Sequence, residues 1–374
     1  MKLNDLCIFL DSEIPLSYQE NYDNSGLQVG DPGREINSAL LTVDVTEEIV
    51  DEAVRSGCDL IVSHHPLIFN GLKRITDKTY TERIIIKAIK NDIAIYSAHT
   101  NLDVVNNGVS RKAAEKLDLT EIKILQPLSG KLLKLVSFIP ESHYKQVSEA
   151  VFEAGAGVTG NYDMCAFSVS GTGSFRAGIE ARPFKGEKGR VHFENEIRFE
   201  TVLFPHLRNR VIRALLDSHP YEEVAYDLIT LENEYPDAGA GRIGKLKEAL
   251  SEMDFLSFVS GVFGTEGLRH SALTGKKISR VALCGGSGSF LLREAVAGGA
   301  DAFITGDIKY HTWFDTENKI LLIDTGHFES EKFSAEILYD IINKKFPKFA
   351  LRFSKINTNP INYFNDGKSQ NARI

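Results

Sequence analysis

Residues Glu52-Ala53-Val54-Arg55-Ser56-Gly57-Cys58-Asp59 run into the apolar segment Leu60-Ile61-Val62 and then into Ser63-His64-His65-Pro66. Shifted by 242 positions the pattern returns, as Glu294-Ala295-Val296-Ala297-Gly298-Gly299-Ala300-Asp301 followed by Ala302-Phe303-Ile304. Five of the eight aligned positions are identical, and the gapless match reaches back to Ile36 over Ile278. Each copy reads strand, helix, strand. The first helix covers residues 46–56 and stops at Gly57, which suits a left-handed position just past a helix end. The strand after it is apolar nearly throughout, as expected where a parallel sheet is covered on both faces. A further strand ends each copy, Ile93-Ala94-Ile95-Tyr96 and Ile320-Leu321-Leu322-Ile323. Connecting helices are expected over 81–90 and, less distinctly, near Trp313. Two copies are too few for a solenoid, so they read as two halves of one α/β domain.

The segment between the halves has its own pattern. Residues 131–139 read as a strand, and 142–153 as a helix stopped by Gly155-Ala156-Gly157. Residues 165–170 and 174–176 flank Gly171-Thr172-Gly173 and suggest a hairpin. A strand at 197–204, a helix at 207–218 and a strand at 224–231 complete the order βα-ββ-αβ, that of a ferredoxin-like module. Tyr235-Pro236-Asp237-Ala238-Gly239-Ala240-Gly241 reads as the return linker. The expected architecture is a discontinuous, two-halved α/β domain with an internal repeat, residues 1–127 and 237–374. It is interrupted by an inserted ferredoxin-like α+β module at 128–236.

Composition bounds the function classes. The 374 residues are 43% hydrophobic and 25% charged, which excludes a disordered, collagen-like or coiled-coil chain. A net charge of −8 supplies no whole-chain basic footprint, so nucleic acid is disfavoured as a partner. No apolar run approaches the ~18 residues of a membrane span. The first apolar stretch is interrupted by Asp5 and reads as a helix start, not a signal peptide. Cys7, Cys58, Cys165 and Cys284 are scattered with no CxxC pair. They read as small core residues in a reducing cytoplasm, not as a disulfide framework or thiolate metal site.

The chemistry concentrates where the repeated strands end. Ser63-His64-His65-Pro66 places two histidines at a strand's C-terminal end, where open α/β sheets hold ligands. Adjacent side chains on extended chain diverge, so a bend is needed to aim the pair at two neighbouring metals. His99-Thr100-Asn101-Leu102-Asp103 and His327-Phe328-Glu329-Ser330-Glu331 follow the later strands, align at an offset of 228, and share the form His-x-x-x-acid. In a helix, i and i+4 share a face, a common way to present two ligands to a divalent ion. For either copy alone a capping acid would explain the pattern; its recurrence favours ligation.

Gly306-Asp307-Ile308-Lys309-Tyr310-His311 falls at the repeat position of the double histidine, and its Asp307, Lys309 and His311 are candidates to orient ligands or meet substrate. His64, His65, His327, Asp103 and Glu331 make five candidate ligands, too many for one catalytic zinc with an open position. They suit two metals ~3.5–4 Å apart sharing a carboxylate. Imidazole with carboxylate favours Zn, Fe or Mn, and such a pair acidifies a bound water and polarises a phosphoryl or carbonyl-type oxygen. Gly285-Gly286-Ser287-Gly288-Ser289, between a strand and a helix, is a candidate anion-binding loop without the spacing of a nucleotide motif.

Taken together, these residues resemble the Nif-three-like dinuclear-metal family, the GTP cyclohydrolase 1 type 2 homologs. The resemblance spans nearly the whole chain. It rests on Asp23-Asn24-Ser25-Gly26-Leu27-Gln28-Val29-Gly30, Ser63-His64-His65-Pro66, His99-Thr100-Asn101-Leu102-Asp103, Gly241-Arg242-Ile243-Gly244, residues 306–311 and residues 327–331. The insert, through residues 155–163 and His219-Pro220-Tyr221-Glu222-Glu223-Val224-Ala225-Tyr226, is similar to nitrogen-regulatory and copper-tolerance trimer proteins. Tyr22 departs from the family, which usually has Trp there.

The resemblance implies a toroidal homohexamer with metal pairs facing an internal cavity. Its ligands carry over to His64, His65, Asp103, His327 and Glu331, and His99 carries over as a group beside them. The expected function is metal-dependent hydrolysis of a nucleotide or related small molecule, with His99 or His311 transferring protons. The competing expectation is a non-catalytic metal-stabilised ring whose insert senses a ligand or docks a partner.

Overall fold

The structure, a computed structural model, describes residues 1–363 with the exception of residue 266. The chain divides into two compact units: residues 1–127 with the chain from 236 onward, and residues 128–235.

The first unit contains two sheets of related design. In one, the parallel strands Ala94–Ser97, Leu60–Ser63, Ser38–Thr42 and Ala350–Phe353 lie side by side, with Gly26–Val29 antiparallel on the Ala94–Ser97 edge. In the other, Leu321–Asp324, Ala302–Thr305 and Ile278–Leu283 are parallel, with Arg269–His270 antiparallel on the Leu321–Asp324 edge. Tyr235–Leu250 then runs antiparallel to Ile278–Leu283, with Thr120–Leu128 beyond it. The central parallel strands Leu60–Ser63, Ala94–Ser97, Ala302–Thr305 and Leu321–Asp324 are buried at every position, which is why they are apolar nearly throughout without alternation. Leu41, Val62 and Tyr96 pack toward the helices Leu3–Glu13 and Ser334–Lys345. Leu40, Ile61 and Ile95 pack toward Glu47–Arg55 and Tyr80–Lys90.

Local chemistry sets these elements. The Thr46 hydroxyl accepts the Ile49 amide at 3.2 Å to start the helix Glu47–Arg55, and Ile49, Val50 and Ala53 form its buried stripe. Gly57, at φ 65°, turns the chain into the next strand. In the second half, the segment around Trp313 is a 3₁₀ turn, Tyr310–Thr316.

Glycine-based turn readings fail at two places, where the glycines lie within strands and at Gly239 and Gly173 serve close approach. Residues 235–241 are not a loose linker but the start of the 16-residue strand Tyr235–Leu250. A Cβ on Gly239 would lie 2.3 Å from the Gln126 carbonyl oxygen, so glycine lets neighbouring backbone approach there. Gly171-Thr172-Gly173 is likewise no turn. Ala166–Arg176 is one continuous strand, pairing Gly171 with Glu196 and Gly173 with Glu194. The reversal comes later, over 177–190, where Gly186 and Gly189 take positive φ.

The second unit is a four-stranded antiparallel sheet in the order Ala166–Arg176, Val191–Leu203, Leu132–Pro140, Tyr226–Leu231. The helices Tyr144–Glu153 and Arg208–Ser218 pack Val147, Val151, Val211 and Leu215 against Leu135, Ile139 and Phe199 on one face. Cys7, Cys58 and Cys284 are buried as expected, whereas Cys165 is half-buried because it lies in the approach to an edge strand. Among the described residues no helix is long and apolar enough to cross a membrane.

Candidate metal centre

Parallel strands of both sheets deliver their C-terminal ends to one cleft of about 430 Å3. His64 and His65 leave Leu60–Ser63 on a bend braced by the Ser63 hydroxyl, which donates to the His65 carbonyl. The bend overcomes the divergence expected of adjacent side chains: the two rings lie 5.0 Å apart, tilted by 37°. Both face Glu331, which projects from the short helix His327–Glu331 together with His327.

Every imidazole here is held from behind. The Nδ1 of His64 donates to the Ala98 carbonyl at 2.8 Å, that of His65 to Asp44 at 2.7 Å, and that of His327 to Asp307 at 2.6 Å. A carbonyl or carboxylate only accepts, so Nδ1 carries a proton and Nε2 is the nitrogen that faces inward; in protonated His65 and His327 it donates to Glu331, and it can ligate a cation once that proton is displaced. Glu331 divides its oxygens between the inward nitrogens. Oε2 lies 2.9 Å from His65 Nε2 and 3.0 Å from His327 Nε2. Oε1 lies 3.7 Å from His64 Nε2, which is in turn 3.6 Å from Asp103 Oδ1.

The donor set fits a cation. His64 Nε2 and Asp103 Oδ1 are buried with no hydrogen-bond partner, and their separation exceeds a hydrogen bond. Such orphaned atoms are costly unless something else binds them. His64, His65 and Glu331 offer ligand atoms within 4.8 Å of one another. The loop opposite is shaped to admit the carboxylate, since a Cβ on Gly286 would lie 2.1 Å from Glu331 Oε1.

Electrostatics point the same way. Burial disfavours charge on His65, but hydrogen bonds to Asp44 and Glu331 outweigh it and lift its pKa to about 10. His327 reaches about 9, burial being overcome by Glu331 and Asp307. Glu331 stays ionised well below the usual carboxylate range, since the histidines around it outweigh its burial. Asp103 is pushed up to about 7, first by burial.

A pH effect follows for the metal-free chain. A raised histidine pKa contributes stability that is complete below the unfolded value near 6.5. That contribution is lost as pH rises through about 9 and about 10. The melting temperature of the metal-free chain, relative to that of a His65→Gln/His327→Gln variant, is expected to fall from pH 6.5 to 10. A pH-independent difference would contradict the pairing.

His99 is placed differently from His327. Strand pairing sets Ser97 opposite Ser63 and Asp324 opposite Thr305. Structural equivalence after the third strands is therefore 227 positions, not 228. His99 is the residue capping the helix Thr100–Val104, and its counterpart is Gly326. Its Nδ1 donates to Asp23 at 2.8 Å, and its ring lies 5.4 Å from those of His64 and His65. Asp23 is held ionised: hydrogen bonds from His99 and Thr100 overcome its burial.

His311 stands apart from this cluster, exposed in the Tyr310–Thr316 turn with its ring 5.3 Å from that of Tyr310. In the glycine-rich loop three of the amides expected to meet an anion are already engaged. The amides of Gly285, Gly286 and Gly288 are consumed by the hydroxyls of Ser110, Ser330 and Thr305, and Ser287 donates to Asp307.

Sequence reasoning missed Asp44 and Thr358. The only local sign of Asp44 is a carboxylate within Val43-Asp44-Val45, just past a buried strand. Thr358 lies 314 residues away and donates to the second oxygen of Asp44 at 2.6 Å, while Asn359 donates to buried Glu329 at 2.9 Å. Thr358→Val is expected to weaken metal retention severalfold, less than the roughly 10-fold or more expected for the group directly behind a ligand, since Thr358 acts through Asp44, with Thr358→Ser restoring it. Chelator competition measures this, and unchanged retention in Thr358→Val would sink it.

The family model for Duf34/NIF3 (NGG1p interacting factor 3) matches residues 1–360. The chain is 38% identical over 357 residues to a GTP cyclohydrolase 1 type 2 homolog of Bacillus subtilis (strain 168), covering 93% of this chain and 95% of that protein. A namesake from Halalkalibacterium halodurans is 40% identical over 315 residues, covering 84% and 85%. Among solved structures, a Bacillus cereus protein related to NIF3 is similar with a TM-score of 0.79 at 36% identity, covering 97% of this chain and 99% of that one.

Proposed function

This chain belongs to the Duf34/NIF3 family, and on that footing we propose that it is a dinuclear metal-dependent hydrolase of a nucleotide or related small molecule. The observation that carries the reading is the division of Glu331. One of its oxygens serves His65 and His327, and the other faces the orphaned His64 Nε2, itself beside the orphaned Asp103 Oδ1. In this reading His64, His65, Asp103, His327 and Glu331 would hold the two ions, with the centrally placed Glu331 facing all three imidazoles. Two divalent ions of Zn, Fe or Mn would supply Lewis acidity and an acidified water.

The protein's own groups do the rest. Asp44, Asp307 and the Ala98 carbonyl fix the ligating rings as the inward-facing tautomer. His99, backed by ionised Asp23 on the cleft wall, is placed to give a proton to a leaving group. Tyr22, Phe69 and Phe290 rim the cleft with exposed rings that can cover a planar substrate.

The homohexamer, the cytoplasmic location and the ferredoxin-like reading of the insert belong to the same proposal. The insert's strand order and its two helices on one sheet face support the last of these. The test pairs elemental analysis with a turnover screen of nucleotides and phosphoesters, on a chain whose mass in solution is measured. Two equivalents of metal per chain and turnover lost on chelation are expected. Metal without turnover would favour the second reading, a non-catalytic metal-stabilised ring with a ligand-sensing insert, for which a second cavity speaks.

A further inference from the structure

A cavity of about 570 Å3 lies in the second unit, lined by residues 138–225. Its floor is the sheet face left uncovered by the two helices. Register places Val169, Gly171, Gly173 and Phe175 on that face, opposite Arg198, Glu196, Glu194 and His192 of the next strand, with Glu194 paired to Lys185 at 2.6 Å. Two walls close it. One is the 177–190 loop with Phe184; the other is the segment before Tyr226–Leu231, carrying Tyr221 and Glu223. The walls are tied together where the Arg182 amide donates to Glu222 at 2.7 Å.

Three features say what this space takes. First, a strand that alternates glycine on one face forgoes packing and costs conformational entropy. A Cβ on Gly171 would meet nothing within 4 Å, so its bareness leaves room the fold does not use. At Gly173 a Cβ would strike Glu196 at 2.1 Å, so this glycine lets the carboxylate lie down on the floor. Second, the rings of Phe175 and Phe184 stand 6.1 and 6.2 Å from that of Tyr221, whose hydroxyl donates to Glu196 at 2.8 Å. Third, the charges do not balance. Arg198, the one lining cation, is paired with Glu200 at 2.7 Å, whereas Glu196 and Glu223 make no ion pair among the described residues. Aromatic faces beside uncompensated carboxylates attract a cation, more strongly as water is excluded.

We propose that this cavity, with its glycine floor, Phe175, Phe184 and Tyr221 walls and Glu196 carboxylate, binds a small organic cation: an ammonium or guanidinium group on an apolar body. The site is separate from the metal centre and does not depend on the hydrolase reading.

The test uses the full chain and three probes of one shape and different charge: phenethylammonium, 2-phenylethanol and phenylacetate. Calorimetry is expected to show saturable binding of phenethylammonium, at least tenfold weaker binding of 2-phenylethanol, and none of phenylacetate. Glu196→Gln should weaken phenethylammonium binding at least tenfold. Gly171→Val, whose Cβ meets nothing within 4 Å and which adds a good strand former to the floor, should abolish it while leaving melting temperature and metal content unchanged. Equal binding of the cation and the alcohol would overturn the proposal, as would unaltered binding by Gly171→Val. So would no saturable binding of any probe; a fall in oligomeric mass in Gly171→Val would then give this face to a second copy of the chain.

Discussion

On the dinuclear reading proposed above, Glu331→Gln is expected to reduce bound metal to one equivalent per chain or none and to cut any turnover about 10^3-fold or more. Glutamine matches the shape of the side chain, so the short helix His327–Glu331 and the snug fit against Gly286 are retained. What is lost is one negative charge shared among three imidazoles. Without it, burial is the leading influence on His65 and His327, and their ability to hold a proton or a cation falls. Elemental analysis and circular dichroism check both halves. A folded Glu331→Gln chain with two tightly held metals would refute the assignment of Glu331 as the central ligand.

Arg242→Ala is expected to destabilise the chain by about 3 kcal/mol or more, measured by urea unfolding. Arg242 is almost fully buried, at 1% exposure, and has no carboxylate partner among the described residues. Its guanidinium donates instead to four carbonyls, those of Gly239, Gly241, Val105 and Asn106, at 2.7–2.9 Å. Burial lowers its pKa to about 10, so the charge persists at neutral pH. Two of the four carbonyls directly follow the helix Thr100–Val104, which carries Asp103, so the arginine also fixes one wall of the metal centre. Arg242→Lys should recover only part of the loss, because an ammonium has three donors and no planar fork. A loss below 1 kcal/mol in Arg242→Ala would show that water replaces the side chain without cost.

Much of the site is legible in the sequence because strand ends are. His64, His65 and Glu331 face one another as ligand atoms within 4.8 Å; the histidines are announced by following an apolar run directly, and Glu331 by the repeated His-x-x-x-acid pattern after one. Glycines mislead more often. Gly171-Thr172-Gly173 and Gly239-Ala240-Gly241 look like turns, yet they lie in strands. A missing Cβ permits a turn and also permits close approach, and local sequence does not distinguish the two uses. The pairing of His99 with His327 misleads in a subtler way. The motif aligns at 228 positions, but hydrogen-bonded strands set 227, and one residue of shift changes a cap into a helical residue.

By itself the sequence determined the repeat, the apolar strands and the residues waiting at their ends, because periodicity and burial are local properties of chain composition. The tertiary structure decided which of those residues meet. It set His327 and Glu331 opposite His64 and His65 across more than 260 positions, left His311 exposed, and brought Asp44, Asp23 and Thr358 behind the imidazoles. Nothing in the spacing of Asp44 and Thr358 reveals that contact, because hydrogen bonding acts through space and the chain returns only after the last strand, Ala350–Phe353, has joined the first half's sheet.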